Sequence, residues 1–358
     1  MDRALGVIKS SKENGQWPTR TPLQSGSRWR CKAEAHTEPS LGGVLDKLLE
    51  DGRFELAAIS GTSAGAMNAA VLTQGHVSGG RDGARQSLED FWLAVSRLGA
   101  ASPIRRSLLD MVTGNWSMDQ SPAYNWFDLV TRVVSPYESN PLDINPLLEL
   151  IERTIDFEKV RSCSAISLFV SATNVRNGKI KVFEGHELTA ATIMASACLP
   201  KIYRAVEIDG EHYWDGGFMG NPPIFPVFYK TDIADIILVQ INPIERAELP
   251  RTARDIDNRL NEITFNSSLL RELRAIHFVT RLIDDGKLDQ SEYTRAHLHR
   301  IECSKRLNPL SASSKLNTEW PFLLHLRDIG RETAEEWLEQ NADKVGVTST
   351  LDLPAMFD

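Results

Sequence analysis

The chain has 358 residues, 42% hydrophobic and 25% charged, the balance of a globular protein with a sizeable core and length for one large domain or two smaller ones. Its net charge of −8 leaves no surplus of cations to neutralise a phosphate backbone, so nucleic acid is not an expected partner. Four scattered cysteines, Cys31, Cys163, Cys198 and Cys303, form no CxxC pair and have no histidine at ligand spacing, so neither a disulfide framework nor a metal site is expected. No run of about 18 apolar residues is available to span a bilayer, and the amino terminus has too short an apolar stretch for a signal peptide. Cytoplasmic residence is the default expectation, with docking on a membrane surface left open because local patches act whatever the net charge.

Residues 1 to about 40 are rich in Ser, Arg, Lys, Thr and Pro and show no periodicity, which predicts an irregular, poorly ordered segment. From Gly43 the pattern changes. VLDKLLEDG places Val44, Leu45, Leu48 and Leu49 on one helical face and stops at Gly52. LAAIS at 56–60 reads as a buried strand, followed by GTSAGAMNAAVL, a glycine-flanked serine running into an alanine-rich helix. Residues 83–160 are helical in pattern, broken at SPAYNW and at the prolines 136, 141 and 146. Trp116, Trp126, Phe127, Leu108, Leu109 and Met111 in this region read as core, with an acyl pocket or lid as the alternative.

SLFVSATNV at 167–175 and KIKVF at 179–183 read as strands around an Asn177-Gly178 turn. A helix, LTAATIMASACL, ends at Pro200, and IYRAVEID with EHYWDGG forms a second hairpin turning at Asp209-Gly210. ADIILVQINP at 234–243 is a continuous apolar strand suited to the inside of a parallel sheet. A long helix over about 252–285, a strand at RAHLHRIEC and a closing helix from Trp320 complete the chain. Its arginines 271, 274 and 281 read as a solvated face. Alternating strands and helices followed by a helical tail predict a layered α/β sheet, mainly parallel, with a mostly helical C-terminal extension. The expected division is an irregular segment at 1–40, a catalytic domain at 41–243 and a helical region at 244–358.

Gly61-Thr62-Ser63-Ala64-Gly65 has the form G-x-S-x-G, which sets a serine on a strained strand-to-helix turn. There the helix dipole and the N–H groups of Ala64 or Gly65 favour developing negative charge. An ordinary helix entry would also use these residues. A nucleophilic serine needs a base, and eight histidines are available: His36, His76, His186, His212, His277, His297, His299 and His325. His212, in the EHYWDGG hairpin, is the best placed of them. Asp215-Gly216-Gly217 offers a carboxylate at the end of a strand with glycines that let a partner approach, and it equally makes a plain Asp-Gly turn. Cys198, within MASACLP, reads as a small packed side chain rather than a catalytic thiol.

ISGTSAGAMNAA followed by ASACLP, AVEIDG, YWDGG and NPP, in this order from about Gly43 to residue 243, resembles the patatin-like phospholipases. The resemblance implies a Ser-Asp dyad without histidine, with Ser63 as nucleophile and Asp215 as base. It also implies lipid or acyl-ester substrates cleaved through an acyl-enzyme, with no metal and no cofactor. It further implies a strand leading into a G-G-G-x-x-G loop that receives the oxyanion. That loop would fall on Ala33-Glu34-Ala35-His36-Thr37-Glu38, which holds no glycine, and Gly42-Gly43 lie close enough to the helix to serve its packing instead. Loss of one oxyanion donor slows turnover by roughly 100- to 1000-fold, so the alternative is an impaired relative that binds lipid or a partner without turnover. The abrupt change of character at Leu41 is what a shift of reading frame would leave.

Overall fold

The computed structural model describes residues 29–35 and 39–358, apart from 101, 103, 290, 291, 308, 309 and 311. The strands are β1 (Trp29–Ala35), β2 (Phe54–Gly61), β3 (Ser167–Asn174), β4 (Ile180–Glu184), β5 (Val206–Ile208), β6 (Glu211–Asp215), β7 (Asp235–Gln240) and β8 (His297–Glu302). The helices are α1 (Pro39–Asp51), α2 (Ala64–Gly99), α3 (Leu108–Val112), α4 (Pro122–Val133), α5 (Pro136–Ser139), α6 (Pro146–Thr154), α7 (Phe157–Ser162), α8 (Ala190–Ser196), α9 (Phe225–Lys230), α10 (Ala253–Asp284), α11 (Ser304–Leu307), α12 (Trp320–Asn341) and α13 (Leu353–Phe357).

All eight strands share one sheet, ordered β5-β6-β3-β2-β1-β7-β8, with β4 also paired to β3. β3, β2, β1, β7 and β8 run parallel, while β4, β6 and β5 pair antiparallel beyond β3. The expected mainly parallel sheet therefore holds for the central five strands, and the two hairpins make the whole sheet mixed. Along β7, side chains alternate between faces: Ile237 and Val239 join the large core, whereas Ile236 and Leu238 join a second cluster with Leu269 and Leu273 of α10. Burial on both faces explains why β7 reads as an unbroken apolar run. Helices cover each face, α1, α2 and α12 contributing to the larger core and α9 and α10 to the other side.

The expectation of an irregular segment to residue 40 is corrected over Trp29–Ala35. This stretch is β1, parallel to both β2 and β7. Pairing is made by the backbone, so a stretch with a charged residue at every second position still fills the slot between two strands. Residues 1–28, which share that expectation, lie outside the described residues.

The last third of the chain is built into the same framework. β8 extends the sheet beside β7, and α12 crosses α1 at backbone contact. A Cβ on Gly43 would stand 2.0 Å from Arg327 O, and one on Gly330 would stand 1.9 Å from Ser40 O. Gly43 thus serves packing, as its position at the start of the apolar face suggests. Gly330→Ala is expected to destabilise the protein by about 3 kcal/mol through forced separation of the two helices, read as a lowered midpoint in urea unfolding. An unchanged midpoint would refute the close crossing.

Candidate functional site

The site starts from the end of β2. Its apolar residues stop at Gly61, Thr62 is buried, and Ser63 takes φ 58° and ψ −129° before α2 begins at Ala64. A non-glycine residue there stores about 1–3 kcal/mol of backbone strain, so the surroundings must fix it. The Ser63 N–H donates to Ser196 Oγ at 2.9 Å. The Thr62 hydroxyl donates to Gly220 O at 2.8 Å and meets Ser171 Oγ at 2.6 Å. Gly61 is required by close approach, since a Cβ there would lie 2.7 Å from the Gly65 carbonyl carbon. Ser63 and Ala64 are half-buried amid buried neighbours, which leaves the hydroxyl reachable.

Asp215 closes β6 and is 1% exposed. Its N–H donates to Cys198 O at 2.8 Å, and its carbonyl accepts from the Thr173 hydroxyl at 2.9 Å. The carboxylate accepts the Gly217 N–H at 2.7 Å, and the Ser63 hydroxyl lies near enough to favour its charged form. Burial pushes its pKa up from 3.8 to about 6, against the lowering effect of those two donors. Gly216 sits where a Cβ would be 2.2 Å from Ser171 O, and one on Gly217 would meet Phe265 of α10 at 2.2 Å. The two glycines pin the Asp215 turn against β3 and α10.

The structure therefore brings Ser63 and Asp215 together, with Gly61, Gly216 and Gly217 packed tightly around them. The two expected N–H donors differ: the Gly65 N–H is taken up by Thr62 O at 2.9 Å, whereas Ala64 opens α2, ahead of its first internal hydrogen bonds. His212 is exposed and pairs with Glu207 at 3.8 Å. It lies an odd number of positions from Asp215 and so faces the other side of β6. Among the described residues no histidine bonds the Asp215 carboxylate. The Cys198 thiol, which donates to Arg204 O at 3.0 Å, is pushed up to about 12 by burial and stays protonated, as a packed side chain does.

Sequence reasoning missed Ser196, Ser171, Thr173 and Phe265. Ser196 stood inside the ASACLP stretch, but nothing in the spacing tells that its hydroxyl caps the Ser63 N–H. Of the expected oxyanion loop, Ala33, Glu34 and Ala35 lie in β1, and 36–38 lie outside the described residues. Two residues read as core are corrected: Trp126 is 68% exposed, because α4 turns its apolar stripe outward, and Met111 on α3 is 44% exposed. Trp116 does pack inward, 5.2 Å from the Phe322 ring.

A layered α/β fold with a serine on a strained strand-to-helix turn beside a buried carboxylate belongs to the hydrolase class. The chain is a member of the patatin-like phospholipase family, whose model matches residues 40–228, and that family consists of lipid acyl hydrolases. Among solved structures it is similar to VipD from Legionella pneumophila, at 11% identity and TM-score 0.43, covering 88% of this chain and 67% of that one. It is also similar to the ExoU-SpcU complex from the type III secretion system of Pseudomonas aeruginosa, at 14% identity and TM-score 0.28, covering 88% and 60%. Both likenesses are loose, and membership rests on the family match. No curated protein sequence matches the chain.

Because the folded-state pKa of Asp215 lies above its unfolded value, its contribution to stability is fully present below about pH 4 and is lost as pH rises through about 6. Asp215→Asn removes that cost. The variant is expected to be no less stable than the parent at pH 7.5 and up to about 3 kcal/mol more stable, with the difference gone below pH 4. Urea unfolding at the two pH values measures this, and a variant less stable at pH 7.5 would contradict a raised pKa.

Proposed function

We propose that this chain is a serine acyl hydrolase that cleaves lipid acyl esters, in phospholipase A or lysophospholipase fashion, with Ser63 as nucleophile and Asp215 as base. The observation that carries the proposal is the serine on its strained turn beside the buried Asp215, whose pKa burial raises to about 6. An ordinary carboxylate, with a pKa near 3.9, is too weak a base for an alcohol; one raised by burial is better matched to neutral pH. Asp215 accepts the Oγ proton as Ser63 attacks the ester carbonyl, then returns it to the leaving alcohol. Water then attacks the acyl-enzyme, giving its proton to Asp215, and the regenerated Ser63 takes that proton back as the acid departs. The Ala64 N–H and the start of α2 face the negative charge that develops on the carbonyl oxygen. The reading of an impaired relative that binds lipid without turnover rests on the lack of glycine between Ala33 and Glu38.

A fluorophosphonate probe is expected to label Ser63 and to leave Ser63→Ala unlabelled, with the labelling rate rising as pH increases through about 6, where Asp215 loses its proton. Failure to label the folded parent chain would favour the impaired relative.

Two apolar stripes support a substrate presented by a lipid surface. α4 exposes Trp126, Leu129 and Val133 at 68%, 55% and 77%, and α10 exposes Ile256, Leu260 and Ile263 at 43%, 56% and 51%. Both sets have helical spacing, yet both face solvent. Arg132 on α4 pairs with Asp257 on α10 at 3.4 Å, and α10 also carries Phe265, which packs on the Asp215 turn. α10 thus turns Phe265 toward the Asp215 turn and its apolar stripe toward solvent. No helix of the described residues is long and apolar enough to cross a membrane, which leaves docking from one side. Trp126→Ser with Leu129→Ser is expected to weaken binding to phosphatidylcholine vesicles at least roughly tenfold, in a sedimentation assay, while fluorophosphonate labelling in solution is unchanged. Equal binding by the variant would remove the stripes from the reading.

A further inference from the structure

β1 is a central strand, with β2 on one side and β7 on the other. The residues it registers with include Ala58 and Ile59 of β2 and Ile236, Ile237 and Leu238 of β7, all 0–2% exposed. A strand so placed is expected to be an apolar run. The chain instead sets Arg30, Lys32 and Glu34 there in alternation, a pattern suited to a strand with one face in water and not to one between two apolar neighbours. Just downstream, Ser40 at the start of α1 is 0% exposed, and its hydroxyl has no hydrogen-bond partner among the described residues. From Leu41 onward α1 fits its place, with Leu41, Val44 and Leu45 fully buried. Misfit that ends abruptly is the mark of a change of frame rather than of separate substitutions.

The genetic code allows this to be pursued. Reading from the third base of each codon, the junctions Arg28-Trp29 and Arg30-Cys31 each give Leu, Val or Met, Trp29-Arg30 gives Ala or Glu, and Cys31-Lys32 gives Gln or a stop. The junctions Lys32-Ala33, Ala33-Glu34, Glu34-Ala35 and Thr37-Glu38 each give Gly whenever the first codon of the pair ends in guanine. The shifted frame therefore admits an apolar strand followed by Gly-Gly-Gly, two further residues and Gly. The codons of Gly42-Gly43 hold a run of guanines, and one surplus guanine in that run returns translation to the present frame at Gly43.

We infer that residues 28–43, with all that precedes them in the same frame, are the out-of-frame product of a single-nucleotide slip in that guanine run, and that the unshifted frame supplies an apolar β1 ending in a glycine-rich turn. Ala35, the last residue of β1, registers with Gly61, two positions before Ser63. The end of β1 thus lies beside the start of the serine turn, and glycines in that strand end would let backbone N–H groups approach a developing oxyanion. The place of β1 in the sheet does not depend on the proposed chemistry.

Sequencing the DNA over codons 28–44 tests it. The expected result is a Cys31 codon ending in cytosine, Lys32, Ala33, Glu34 and Thr37 codons all ending in guanine, and one guanine fewer in the run on independent resequencing. A stop at the Cys31-Lys32 junction, or a non-glycine codon at any of the other four, overturns the inference. In the protein isolated from its native source, a tryptic peptide with the glycine run joined to Val44–Lys47 supports it, and the peptide Ala33–Lys47 overturns it. If the slip is confirmed, the full chain with that stretch read in the unshifted frame is expected to turn over an acyl ester roughly 100-fold or more faster than the present chain. A confirmed slip without that gain leaves the frame inference standing and counts against the acyl-hydrolase reading.

Discussion

A carboxylate held 1% exposed beside a serine hydroxyl is the constraint on which the rest of this structure depends. Asp215 ionises reluctantly because water is kept from it, and water is kept from it by packing that leaves no room for a Cβ at Gly216 or Gly217. The N–H of Gly217 and the hydroxyl of Ser63 then offset part of that burial, so the pKa settles near 6 rather than higher. Loosening any wall of this pocket would hydrate the carboxylate and return it toward the weak basicity of an exposed aspartate.

The serine side is held by different means. Its backbone is strained, and the strain is contained by hydroxyls from three elements: Thr62 itself, Ser171 on β3 and Ser196 at the end of α8. These hydroxyls reach groups that helices and strands leave unpaired, the Ser63 N–H and the Gly220 carbonyl. Since β3 also pairs with β6, the same strand that steadies the serine turn fixes the height of Asp215. The two side chains are thereby positioned by one framework, and neither lies on a free loop.

Much of this was legible in the sequence because it is written in local signals. The Ser63 turn is marked by its glycines, β7 by an unbroken apolar run, and the β3-β4 and β5-β6 turns by Asn177-Gly178 and Asp209-Gly210, where Gly178, Asp209 and Gly210 do take positive φ. What stayed hidden is nonlocal. Nothing near Ser196 announces that it will accept a hydrogen bond from a residue 133 positions away. The outward stripe of α4 has the same periodicity as an inward one, so Trp126 was read as core. β1 stays hidden for a further reason: its charged residues at every second position are those of a surface segment, and only its position between two strands makes it a central strand.

The crossing of α1 and α12 at backbone contact bears on how the molecule comes to be made. α1 begins 281 positions before the start of α12 in the chain, yet each supplies the other's packing surface, and β8 completes the sheet from the same late region. During synthesis the serine turn and its carboxylate leave the ribosome long before the helix that clamps α1. Until then the apolar face of α1 has no lasting partner, so the nascent chain carries an exposed, sticky surface that chaperones would need to shield. Contacts so distant in sequence also slow the final closure. The serine turn and its carboxylate are thus synthesised early, and the helix that clamps α1 arrives last.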